Sequence, residues 1–203
     1  MKARHSFLIV FVSLVLCSCA AITKEEKNYS KNGLTIAFRS LSFLDDVQNV
    51  KFIYPIILSE ENIRNHLLSL YHQDILRPRK PTPVFSVAAV KEMAPLFKIV
   101  MKNVKPKKYL HFQYQTSRGI TEGQVFATSK KLYWHIFKIN GVAYSNDPLR
   151  IRKPTWKLVR APGHSYQNVY TGTLQRVIKN RIIANIKMPY PRQRFQSLRN
   201  KNK

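Results

Sequence analysis

Near residue 105 the spacing of apolar residues changes from helical to alternating, and few folds accommodate that change in one short chain. Before it, Val87, Val90, Ala94, Phe97 and Met101 recur at the spacing of one helix face, with Lys91, Pro95, Lys98 and Lys102 opposite. Ser86 suits the N-cap, and Pro95 predicts a kink or a division of this helix. After it, Leu110, Phe112 and Tyr114 alternate within a strand over 108–116. Residues 117–123 read as a connection, 124–128 as a short strand and 131–139 as a longer one. Asn140-Gly141 is a hairpin signal, with a return through 142–144.

The flanking segments extend this pattern. Leu34, Ile36 and Phe38 predict a first strand, and residues 50–58 a second, with Pro55 arguing for an edge position or an early end. Ser59 caps a helix running to about Gln73, with Ile63, Leu67, Leu70 and Tyr71 on one face. A short strand over 156–159 precedes a loop over 161–167. Residues 176–188 read as one or two strands, with a helix as the alternative. The order predicts an α+β fold: a mostly antiparallel sheet with two helices packed on one face. The expected organisation is one domain over 34–190, a polar tether over 19–33 and a basic, disordered tail over 191–203.

Charge narrows the choice of partners. Lys and Arg number 35 against 10 Asp and Glu, a net charge of +25. Beyond Met93 only Glu122 and Asp147 are acidic. Such a field favours phosphorylated lipid, anionic polysaccharide or nucleic acid, although a generally basic proteome would give the same excess. Basic residues also interleave with the aromatics Tyr109, Phe112, Tyr114, Phe126, Tyr133, Trp134 and Phe137. Candidate binding residues are therefore Lys108, Lys130, Lys131 and Lys138, together with Arg150, Arg152 and Lys153. Rings and cations on one sheet face can bind single-stranded nucleic acid or sugars; the same rings can equally be core.

The first twenty residues carry an address. Lys2 and Arg4 precede an apolar run from Phe7 to Leu16, too short to span a bilayer but right for a secretory signal. The chain's two cysteines follow, in Leu16-Cys17-Ser18-Cys19. A disulfide is cramped at that spacing, and two cysteines alone make no metal site. Simple secretion with cleavage and no lipid is the rival reading. The four residues resemble a bacterial lipobox: aliphatic, small, small, cysteine. The resemblance implies cleavage between Ser18 and Cys19, diacylglycerol on the Cys19 sulfur and acylation of the new amino group. Ala20, standing where Asp would retain a lipoprotein, implies transport to a Gram-negative outer membrane.

Catalytic signatures are missing. The sequence contains no G-x-S-x-G, Walker, G-x-G-x-x-G or H-E-x-x-H motif. The histidines stand apart without surrounding acids, so neither a metal nor a cofactor is implied. His164-Ser165 in the 161–167 segment suggests an envelope hydrolase as the alternative, with Asp147 or Glu122 as the orienting acid of a triad. The leading expectation is a non-enzymatic envelope lipoprotein, held to the membrane by its lipid. Its basic surface would meet lipopolysaccharide, lipid headgroups, peptidoglycan or another envelope protein, within a larger envelope machine or outside one. An address outside the cytoplasm disfavours nucleic acid.

Overall fold

The period change near residue 105 marks the passage from the longer helix into the central strands in the computed structural model, which describes residues 28–41, 51–145, 154–171 and 174–189. In chain order the elements are β1 (Asn28–Lys31), β2 (Leu34–Ser40), α1 (Glu60–Leu68), β3 (Tyr71–Asp74), β4 (Thr82–Pro83) and α2 (Val87–Lys102). Then follow β5 (Lys108–Thr116), β6 (Gly119–Ala127), β7 (Lys131–Ile139), β8 (Val142–Ala143), β9 (Trp156–Val159), β10 (His164–Thr171) and β11 (Leu174–Asn185). The fold is α+β. An eight-stranded antiparallel sheet runs β1-β2-β5-β6-β7-β11-β10, with β8 on β7. A second, three-stranded sheet is ordered β4-β3-β9.

Both helices begin where a serine can satisfy orphan backbone donors. Ser59 Oγ accepts from the Asn62 N–H and Ser86 Oγ from the Ala89 N–H, each at 3.1 Å. α2 is one helix that runs through Pro95 without dividing. It buries Val90, Met93, Ala94, Phe97, Val100 and Met101 in a shared core with Leu110, Phe112, Val125, Trp134 and Ile136 of the sheet. α1 packs on α2, and its polar residues are tied to the chain beyond β11. Asn65 Nδ2 donates to the Met188 carbonyl at 3.0 Å, Asn62 Oδ1 accepts from the Met188 N–H at 3.1 Å, and His66 Nε2 donates to the Ile186 carbonyl at 3.0 Å. Two side chains fasten the small sheet to the large one. Tyr166 Oη donates to the Leu158 carbonyl at 2.6 Å and Trp156 Nε1 to the Val142 carbonyl at 3.1 Å.

Several expected boundaries move. The first helix stops at Leu68, and Tyr71 belongs to β3, because residues 71–74 pair with β9 rather than continuing the helix. Residues 51–58 form no strand. Pro55 supplies no donor, and this segment instead makes isolated bonds, Ile53 N–H to the Ala127 carbonyl and Ile56 N–H to the Met101 carbonyl. Residues 28–31, read as tether, form edge strand β1, which turns through Asn32 and Gly33 at positive φ (49° and 75°). Residues 119–123, read as a connection, are the first half of β6, and only Ser117-Arg118 turns. β10 begins at His164, inside the expected loop. Asn140 and Gly141 do form the hairpin turn, both at positive φ.

Gly123 explains why β6 was hard to read and why it cannot carry a side chain there. A Cβ at this position would lie 2.6 Å from the His135 carbonyl oxygen and 2.9 Å from Phe112 Cζ. Gly123→Ala should therefore force β7 and the Phe112 ring apart. We expect a loss of about 1–3 kcal/mol in urea-unfolding free energy.

Candidate functional site

Ser18, Cys19, Arg150, Arg152 and Lys153 lie outside the described residues. Of the other four candidates, Lys108, Lys130 and Lys131 share one end of the sheet and Lys138 stands at the other. Lys131 Nζ donates to Asn185 Oδ1 at 2.7 Å at one end of β7, whereas Lys138 Nζ donates to Glu122 Oε2 at 3.2 Å at the other. Seven residues of extended strand separate them by about 23 Å. Lys130 is exposed in the β6–β7 turn, and Lys108 opens β5 opposite Ser40. The rings are likewise divided between the faces. Phe112 and Trp134 point into the core, while Tyr109, Phe126, Tyr133 and Phe137 lie on the face away from the helices. There Phe126 stacks on Tyr133 at 4.8 Å and meets Phe52 edge-on at 5.2 Å, leaving Phe126 3% exposed. Phe126, covered in this way, offers no stacking platform for bases.

The helix-free face carries a polar row instead. His111 Nε2 donates to Glu122 Oε1 at 2.9 Å, and Lys138 holds the other carboxylate oxygen. Burial alone would raise the Glu122 carboxyl. Hydrogen bonds from Lys138, His111 and Gln113 together outweigh that and hold it below the usual range. Beside it Gln124 Nε2 donates to His135 Nδ1 at 3.2 Å. Burial first, and then the Arg181 charge, push His135 well below its ordinary value. The Glu122 carboxylate is thus consumed by two donors, and His135 is a neutral ring closed off from solvent. The row is a cross-strand clamp.

His164 resembles a catalytic base only until its hydrogen bonds are followed. Its partner is Ser69, at 3.2 Å from Nε2, and not Ser165, which points to the opposite face of β10. Nδ1 accepts the Ala161 N–H at 3.3 Å, so Nε2 carries the proton and donates to Ser69 Oγ. Ser69 in turn donates to the His66 carbonyl at 2.6 Å. A serine nucleophile needs a base that accepts its proton; here the ring donates and the serine proton is already committed. Residues 161–167 line no part of the cavity described next.

That cavity, of about 480 Å³, opens at the N-terminus of α2. Four segments build it: His72 on β3, Phe85 and Ser86 before α2, Tyr114 and Arg118 at the β5–β6 turn, and Asn140 at the β7–β8 turn. Arg118 is its one charged lining group. The combination suits a small ligand with an apolar body and an anionic end. Among the described residues, no three His, Cys, Asp or Glu side chains are grouped to hold a metal ion. No sequence signal marked this site, because its residues come from turns and strand ends far apart in the chain. No family model matches this chain, and no curated protein or solved structure is significantly similar to it.

The His164 network has a pH signature. Burial, and then the neighbouring His66, lower His164 from 6.5 to about 4. As pH falls, the unfolded chain therefore binds this proton before the folded one. The stabilisation is complete above about 6.5 and is lost as pH falls from there through about 4. Urea midpoints measured from pH 7 to 4 should decline, and the decline should be shallower in His164→Gln.

Proposed function

We propose that this chain is an envelope lipoprotein, anchored through Cys19 to the periplasmic face of a Gram-negative outer membrane. It acts without catalysis, as a binding or assembly module for anionic envelope components or an acidic protein partner. One observation carries the reading of the domain: its positive charge is mostly uncompensated. Glu122 takes Lys138 and Glu60 takes Arg64 at 2.7 Å. Exposed Lys91, Lys98, Lys102, Lys105 and Lys107 make no ion pair among the described residues. A fold that needed these charges for stability would have paired them; unpaired, they cost self-repulsion and act outward. The order of positive, apolar and small residues ending in Cys19 supports the anchor.

The hydrolase alternative is weakened by the same geometry that makes His164 structural. Its ring faces Ser69 with a proton instead of a lone pair. The cavity beside Arg118 is the better entry point for a small anionic fragment of an envelope component, such as a phosphorylated sugar or the carboxylate of a peptide stem.

Mass spectrometry of the mature N-terminus decides the anchor. The chain expressed in a Gram-negative host should begin at Cys19 and carry the mass of a diacylglycerol and an additional acyl chain. Cys19→Ser should lose that mass and leave the membrane fraction. An unmodified N-terminus generated elsewhere would replace lipidation with simple secretion.

A further inference from the structure

The outer face of α2 is a lysine surface that the packing of the domain does not use. Lys91, Lys98 and Lys102 are exposed, and at about 100° per residue they fall within a wedge of about 40°. A rise of about 1.5 Å per residue spreads them along roughly 17 Å of helix. Lys105 and Lys107, just past the helix end, are exposed as well. The helix dipole accounts for a cation in the last turn, hence for Lys102, but not for Lys91 or Lys98. The only acid in the helix, Glu92, stands about 100° around from Lys91. Its charge acts on Tyr114, on the cavity side. Two isoleucines border the lysines. Ile99 is 54% exposed, and Ile57 is 74% exposed beside the last turn, where the Ile56 N–H donates to the Met101 carbonyl at 3.1 Å.

The chain's connection to its anchor keeps the domain close to the leaflet. β1, whose first residue is Asn28, is in contact with α2. Nine residue steps separate Asn28 from Cys19, and a fully extended chain covers at most about 3.6 Å per step, roughly 32 Å in all. A domain on so short a link stays within its own diameter of the leaflet, and the link starts from the strand that touches α2.

We propose that the outer face of α2 docks on an anionic phospholipid leaflet, with Lys91, Lys98, Lys102, Lys105 and Lys107 over the phosphodiester groups. Ile99 and Ile57 enter the headgroup boundary. Ammonium groups on flexible stems suit this partner, because headgroup phosphates are mobile point charges that require no fixed fork geometry. For its orientation the proposal rests on the anchored reading; the binding itself does not need the lipid. Docked in this way, the domain turns its helix-free sheet face and the clamp around Glu122 away from the bilayer.

Residues 20–203 contain every described element and no cysteine, so this chain can be tested without lipid or signal segment. Sedimentation with vesicles of phosphatidylcholine containing about a third phosphatidylglycerol, at low salt, should show binding that falls with added salt. Pure phosphatidylcholine vesicles should show little. Lys91→Gln, Lys98→Gln and Lys102→Gln together should weaken partitioning on the order of 100-fold. The matched triple Lys130→Gln, Lys179→Gln and Lys187→Gln removes the same charge from positions outside α2 and should cost only a few-fold. A fluorophore on Ile99→Cys should shift to the blue on anionic vesicles, and one on Lys179→Cys should not. Equal losses in both triples, equal shifts in both labels, or no binding to anionic vesicles would overturn the proposal. An unlipidated Cys19 with intact vesicle binding would overturn only the anchor.

Discussion

Phe97, Phe112 and Trp134 form a closed triangle of edge-to-face rings, and the rest of the fold is arranged around it. Centroids lie 5.5 Å apart for Phe97–Phe112, 5.9 Å for Phe97–Trp134 and 6.1 Å for Phe112–Trp134. All three residues are at most 1% exposed. Such pairs add about 0.5–1.5 kcal/mol each beyond their burial. They also join α2 to β5 and β7, across β6. That geometry requires β6 to be bare at Gly123, because the Phe112 ring occupies the space of a side chain there. One contact thus sets the angle of the helix on the sheet and the composition of the strand beneath it.

With one face of the sheet committed to this core, polar residues are sorted by what remains. Several that enter the interior bind backbone carbonyls. Asn65 and His66 bind the chain after β11, and Asn180 Nδ2 donates to the Ile136 carbonyl at 2.8 Å. On the opposite face His111, Glu122 and Lys138 satisfy each other across three strands. Among the described residues, lysines on the solvent side of α2 have no such partner. Packing places no demand on these charges, which leaves that surface available to an external anion.

Much of the fold was legible in the sequence, and the failures have physical causes. α2, β5 and β7 were readable because each keeps one apolar period over most of its length. The first half of β6 was missed because Gly119, Thr121 and Gly123 stand where its inward apolar residues would be. β1 was missed although Lys31-Asn32-Gly33-Leu34 holds the same Asn-Gly signal recognised at 140–141. Its strand is a polar edge and shows no alternation. Tyr71 sits four residues after Leu67 and so continues the helical pattern. Only pairing with β9, more than eighty residues later, makes it a strand residue. The candidate lysines looked like one cluster because they neighbour aromatics in the chain, but the length of β7 sets Lys138 at the opposite end of the sheet from Lys108, Lys130 and Lys131. No local pattern could reveal the cavity, since His72, Ser86, Arg118 and Asn140 meet only after both sheets have formed.

By itself the sequence determined the α+β class, both helix starts and the lysine stripe on α2, because capping and periodicity act over one or two turns of chain. It also supplied the signal-like N-terminus ending at Cys19. Tertiary structure alone decided the second sheet, the cavity and the polarity of the His164–Ser69 hydrogen bond. That last point separates a serine hydrolase from a packed interior. It depends on which ring nitrogen faces Ala161, and a hydrogen bond between residues 95 positions apart in the chain leaves no trace in either neighbourhood.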